Sequence, residues 1–245
     1  NILSKYDDLI ENNARRINLL DRIVKLIYEE WFVKFKFPGY EDIKVINSKT
    51  DFGMIPERWN IKKLGDKIKI FRGKTITRET ITEGSIPVVA GGLKPAYFHN
   101  EFNAKAPVIT ISASGANAGF TRLYFENIWA SDCSFINYDS TPFIFYYYLL
   151  MQHKKSEINN LQRGSAQPHV YAKDLMKLEI IDPEEKFIKE FDELVRPIFE
   201  EISCLNFKNK ILRKTRDFLL PKLISGEIDV SKLDIKINKP LEVVA

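Results

Sequence analysis

A chain of 245 residues with 44% hydrophobic and 12% aromatic side chains has ample material for a core, which excludes global disorder. Its formal charge of +4 is mildly basic, compatible with an anionic partner but weak evidence for one alone. No apolar run reaches the roughly 18 residues of a membrane span and no secretory leader opens the sequence, so the expected location is cytoplasmic. Cys133 and Cys204 stand far apart and read as free thiols in a reducing compartment. The chain starts at Asn1 without Met, so a fragment of something longer is one expectation.

Residues 1–37 carry the first strong pattern. Leu3, Tyr6, Ile10, Asn13, Ile17, Leu20, Val24, Ile27 and Trp31 step by three and four without a break, the seam of a helix that lies along another helix. Nothing interrupts the stretch before Pro38-Gly39, so a helix is predicted to Phe37, roughly 50 Å long at about 1.5 Å per residue. A spacer or dimer rod is one reading and an ordinary amphipathic core helix is the other. Residues 38–54 are polar and turn-rich and read as a linker.

Residues 55–182 change in character. Pro56-Glu57-Arg58-Trp59 and Leu64-Gly65-Asp66 look like a domain entrance with Trp59 in the core. Alternation in Lys67–Phe71 predicts a half-buried strand, and further strands are expected at Ile86–Ala90, Val108–Ser112, Phe120–Phe125 and Ser134–Tyr138. Thr141 is expected to cap a buried helix with Pro142 in its first turn, and its aromatics Phe143, Phe145, Tyr146, Tyr147 and Tyr148 are assigned to the core. A loop over Asn159–Tyr171, a short helix Ala172–Lys177 and a strand Leu178–Ile181 follow.

Asp182-Pro183-Glu184-Glu185 reads as a capped helix start. Within residues 183–226, Ile188, Phe191, Val195, Ile198, Ile202, Leu205, Asn209, Leu212, Arg216 and Leu219 form a second seam. Pro197 is expected to kink or split this helix, and its end is expected at Pro221 or in the Ser225-Gly226 turn. Residues 227–245 are expected to be marginally ordered. The fold class predicted is α+β: a globular domain of short strands and helices flanked by two long helices packed as an antiparallel coiled coil. Each seam holds one Asn, so Asn13 and Asn209 would fix the helix register. Pairing of each seam with another chain is the alternative.

These residues resemble the DNA-specificity (S) subunit of type I restriction–modification systems. The first helix looks like that family's central conserved helix, and Pro56–Trp59 through Leu64–Asp66 like the start of a target-recognition domain. Gly164-Ser165-Ala166-Gln167-Pro168 resembles a late "GxxQ" loop, and Leu219–Ile228 the end of the distal conserved helix. Such subunits usually carry two recognition domains and two helical regions. This chain, with one recognition domain between two helices, resembles the second half of such a subunit or a naturally short half-subunit. The resemblance implies double-stranded DNA and methyltransferase (modification) subunits as partners, the latter bringing S-adenosylmethionine. It further implies a motor/restriction subunit and, for a half-subunit acting alone, a homodimer through the helices.

Catalysis finds little support. Neither a glycine-rich cofactor loop with strand–helix context nor an (N/D)PP(Y/F) motif is present, so no cofactor is expected. Glu126, Asp132 and Asp139 are scattered, no GxSxG turn accompanies Ser165, His169 and Asp174, and His/Cys spacing suggests no metal. A non-catalytic specificity subunit is therefore expected. The run Lys62, Lys63, Lys67, Lys69, Arg72, Lys74 and Arg78, opposed only by Asp66, is on its residues a solvated strand face or a phosphate-binding surface; the resemblance favours the second. Four loops then become candidates for DNA contact. They are Arg72–Arg78 with Arg72, Lys74, Thr75 and Arg78; Gly91–Lys94 with Lys94; Ser112–Asn117 with Ser112, Ser114 and Asn117; and Arg163–Tyr171 with Arg163, Ser165, Gln167, His169 and Tyr171. Gly73, Gly92, Gly115 and Gly164 would let the backbone approach the duplex. A DNA-binding regulator without a methyltransferase partner and a pure coiled-coil scaffold remain as rival readings.

Overall fold

The computed structural model describes residues 2–164 and 167–228; Ser165, and nearly all of the tail 227–245, lie outside them. The chain divides into two compact units, one taking residues up to Leu19 and from Glu201 onward, the other Leu20–Glu200.

In the first unit the opening part of helix α1 (Ile2–Tyr28) meets the closing part of a 40-residue helix that ends at Ile224. The ion pairs Arg16–Glu201 (2.7 Å) and Asp7–Arg216 (2.6 Å) ascend on one helix while descending on the other, so the pair is antiparallel. The seam positions Ile10, Asn13, Ile202, Leu205 and Asn209 are buried. The two asparagines face each other: Nδ2 of Asn13 donates to Oδ1 of Asn209 at 2.9 Å, and Nδ2 of Asn209 donates to the carbonyl of Ile10 at 3.2 Å.

In the second unit α1 ends earlier than its periodicity suggests. A π-helical turn, Glu29–Val33, follows it, and Phe35 at φ 59° breaks the helix before Pro38. The wider turn swings Trp31 and Phe32 into an aromatic core, where Phe32 lies 5.0 Å from Phe191 and 4.9 Å from Tyr146, and Phe37 stacks on Trp59 at 5.1 Å. The stretch expected as a linker is instead folded, with β1 (Val45–Asn47) paired antiparallel to β2 (Met54–Pro56). After β2 come β3 (Asn60–Lys63) and a 3-10 turn at Leu64–Asp66.

Lys67–Phe71 is a second departure. Ile68 and Ile70 are buried and Lys69 is exposed, as the alternation demands, but only β4 (Phe71–Arg72) finds a ladder partner. Alternation reports which side chains are buried; a strand also needs a neighbour to bond. The strands β5 (Ile86–Val89), β6 (Tyr97–His99), β7 (Val108–Ser112), β8 (Thr121–Tyr124), β9 (Trp129–Ala130) and β10 (Cys133–Ile136) follow. They form a four-stranded sheet in the order β4-β10-β7-β8 and a three-stranded sheet β6-β5-β9. All five residues of β7 are buried because it sits between two neighbours.

Helix α2 (Ile144–His153) starts after Phe143, not at Pro142. Thr141 is not its helix cap: the hydroxyl accepts from the N–H of Phe143 at 3.2 Å. The first-turn N–H groups of Phe145 and Tyr146 instead donate to Oδ1 of Asp192 at 2.9 and 3.1 Å. A buried carboxylate at a helix N-terminus meets the orphaned donors and the positive end of the dipole. Of the aromatics assigned to the core, Phe145, Tyr146 and Tyr147 are buried. Next come α3 (Lys155–Asn160), whose last two residues enter the stretch expected to be a loop, then α4 (Ala172–Leu175) and β11 (Glu179–Asp182), which pairs with β3. Asp182 is no helix cap either; it takes ion pairs from Lys62 (3.0 Å) and Lys67 (2.9 Å). Helix α5 (Glu185–Ile224) remains helical through both Pro197 and Pro221, so the expected split is absent, and the chain turns at Gly226 with φ 74°.

Candidate nucleic-acid interface

The loops at the ends of β4, β5, β7 and β9 are joined to one another mainly through their backbones. From the first loop, the N–H of Gly73 donates to the carbonyl of Cys133 (2.8 Å) and that of Lys74 to Ala130 (2.9 Å). Gly73 allows this approach, since a Cβ there would stand 2.2 Å from the carbonyl oxygen of Ser131. Ala113 donates to the carbonyl of Asp132 at 3.2 Å, linking the β9–β10 connection to the loop after β7. That loop is bound in turn to the late one: Gly115 donates to Pro168 (3.0 Å) and Val170 to Ala113 (2.9 Å). Arg163 and His169 exchange both backbone hydrogen bonds, at 2.9 and 2.8 Å, closing the late loop on itself. The Gly91 carbonyl accepts from the Ser112 hydroxyl and the Asn117 amide, each at 3.3 Å. All four candidate loops thus belong to one bonded web, although they span about a hundred residues of sequence.

A family model for the type I restriction modification DNA specificity domain matches residues 56–191, more than half of the chain. The chain belongs to that family. It is 27% identical to the specificity subunit of the type I restriction enzyme MjaIX of Methanocaldococcus jannaschii, over 95% of this chain and 58% of that protein. It is 25% identical to the HindI specificity subunit of Haemophilus influenzae, over 93% of this chain and 66% of that protein. The chain therefore spans less than two thirds of the length of either relative. A crystal structure of a type I restriction-modification S subunit from M. genitalium shares the fold, with a TM-score of 0.66 at 17% identity, covering 91% of this chain and 59% of that one.

Within the specificity domain the candidate side chains fall into two groups. Arg72, Thr75, Lys94 and Gln167 are exposed. Arg163 is exposed while its guanidinium is held by Asp174. Others are already engaged in holding the web. Ser112 is buried and bonded to Gly91, Asn117 is half-buried on the same carbonyl, and the Ser114 hydroxyl donates to Oδ2 of Asp132. Arg78 donates from Nε to the Tyr97 hydroxyl at 2.9 Å. The Lys74 ammonium lies 5.9 Å from the ring of Trp129, whose Nε1 donates to the Lys74 carbonyl. The His169 and Tyr171 rings stack at 5.9 Å, with the Lys173 ammonium 5.6 Å from Tyr171. Gly73 makes room for the protein's own backbone and not for a partner. The basic run is also divided: Asp182 opposes Lys62 and Lys67, so Asp66 is not the run's sole counter-charge.

Sequence reasoning missed three contributors. Arg122 on β8 donates to the Leu93 carbonyl at 2.8 Å and steadies the Gly91–Lys94 loop. Gln162 donates to Ala118 at 2.9 Å. Asp132 places an exposed carboxylate among the loops. None bears a local motif; only the fold brings them in. Beneath the loops Cys133 is buried in the sheet, and burial pushes its thiol up to about 12. Among the described residues no cluster of His, Cys, Asp and Glu has the arrangement of a metal site, and no helix is long and apolar enough to cross a membrane.

Proposed function

We propose that the chain is the sequence-reading part of a type I restriction–modification complex. Residues 55–182 recognise one half of a bipartite duplex target, and the long helices dock methyltransferase subunits. The observation that carries this reading is the web joining four loops with exposed cations and amides, in a chain of the DNA specificity domain family. Lys94 and Arg72 supply phosphate contacts, which give affinity without sequence information, while Arg163 and Gln167 have the forked donors and acceptors that base edges require. The curated relatives named above are specificity subunits, which supports a role in recognition and not in catalysis. Partners bring adenine methylation and, with a motor/restriction subunit, cleavage.

The helix pair of the first unit fits the docking role. Beyond its buried seam, α5 exposes a second apolar row, Phe207, Ile211 and Phe218, at helical spacing. That row suits a modification subunit or the helices of a second copy of the chain, whose two recognition domains would then read an interrupted site. Co-expression with a modification subunit, followed by binding to duplex DNA across a salt series, tests both halves of the proposal. Co-purification and an affinity that falls steeply with salt are expected. Failure to co-purify with intact DNA binding would favour a stand-alone DNA-binding regulator, and salt-independent or absent DNA binding would favour a helical scaffold.

A further inference from the structure

Resting on the reading that the loops meet duplex DNA, we propose that Asp174 is a positioning residue that holds Arg163 as the reader of one guanine in the half-site. Asp174 lies in α4 with 2% of its side chain exposed, whereas the Arg163 side chain is 64% exposed. Its Oδ1 accepts from Nη2 of Arg163 at 3.1 Å and from Nζ of Lys177 at 3.4 Å. Its Oδ2 is buried and has no hydrogen-bond partner. A desolvated carboxylate with one oxygen unmatched is unfavourable for stability, so packing alone does not account for an acid at this position. What the acid supplies is a fixed, directional acceptor for the guanidinium.

That acceptor holds a residue whose main chain is already fixed. The paired backbone bonds with His169 hold Arg163, and the bonds from Gly115 to Pro168 and from Val170 to Ala113 tie its loop to the one after β7. With the backbone and one terminal nitrogen held, the side chain has less rotational freedom to lose on binding than an untethered arginine. Only one N–H of the guanidinium is engaged by Asp174, leaving the other Nη2 hydrogen and Nη1 as a fork. Guanine offers two acceptors, O6 and N7, to such a fork in the major groove; adenine offers one acceptor beside a donor. A pre-oriented fork therefore selects guanine.

The test uses the full chain and duplexes carrying its selected half-site, each base pair replaced in turn, with melting temperature read alongside. Asp174→Asn is expected to weaken the preference for guanine at one position by about tenfold, with affinity for random-sequence duplex changed by no more than about twofold. Arg163→Lys, which keeps the charge but not the fork, should lose the same preference, and Asp174→Asn should add nothing to Arg163→Ala. Asp174→Glu keeps the charge and moves the carboxylate by one methylene; it should also shift the preference, which guards against a folding defect in the Asn variant. A lowered melting temperature with base preference intact in the Asp174 variants would overturn the proposal, as would an Arg163→Lys chain with undiminished preference. If the unmodified chain binds DNA with no base preference at all, the reading of DNA recognition itself fails, an outcome distinct from either.

Discussion

The helix pair and the loop web are held together by different physics. In the first unit, contact comes from side chains: a repeating apolar seam buries Ile10, Ile202 and Leu205 around one polar pair, Asn13 and Asn209. In the loop web, contact comes largely from the backbone, with N–H and C=O groups of Gly73, Ala113, Gly115, Arg163 and Val170 matched across loops. The difference has a consequence for function. Where side chains form the contact they cannot be exchanged without loss, but where the backbone does so, side chains such as Arg72, Lys94 and Gln167 stay exposed and replaceable. The second arrangement lets exposed side chains be exchanged while the fold is kept, and the first ties the fold to the side chains themselves.

The largest effect should come from opening the seam. Leu205 is fully buried, so Leu205→Ala is expected to cost about 3 kcal/mol through lost transfer and a residual cavity, measured by denaturant unfolding. In the web the equivalent injury is an added atom. A Cβ at Gly73 meets backbone and not a yielding side chain, so Gly73→Ala should cost about 2 kcal/mol and weaken DNA binding at every sequence. Asn13→Leu alone should cost about 1–2 kcal/mol by leaving the buried Asn209 oxygen unmatched. The double change Asn13→Leu with Asn209→Leu should recover much of that and loosen helix register or oligomeric state, read by sedimentation; an unchanged oligomer would count against the register role.

Exposed loop side chains should behave oppositely. Arg72→Ala or Lys94→Ala is expected to change stability by less than about 0.5 kcal/mol, yet each should lower the salt slope of DNA binding by roughly one unit. The smallest effect concerns the thiols. Exposed Cys204 should react with a thiol reagent in the folded chain, while Cys133, buried and with its ionisation pushed up to about 12, should react only after unfolding.

The same difference explains what could be read before the fold was known. The seams were legible because helical contact follows sequence spacing, and both asparagines meet where that spacing places them. Strand β7 was legible to the residue because a short β-branched run, Val108 to Ile111, is bounded by Pro107 and a small-residue loop. Lys67–Phe71 was misread because burial alternates there without a ladder partner, and Thr141 was displaced as a cap by Asp192, 51 residues later in the numbering. Each candidate loop was visible as a loop. Their union was not, because backbone hydrogen bonds between remote segments leave no mark on side-chain spacing, and neither did the roles of Arg122, Asp132 and Asp174.

The central claim is that four loops form one DNA-facing surface. Photo-crosslinking tests it most directly, with a benzophenone side chain placed in turn at Thr75, Lys94, Ala116 and Gln167, and at Phe207 and Ile211 of α5, each exposed. With a labelled duplex containing the target, crosslinks are expected from all four loop positions to one contiguous half-site and from neither helix position. Crosslinks from a single loop, or from α5 in preference to the loops, would contradict the account.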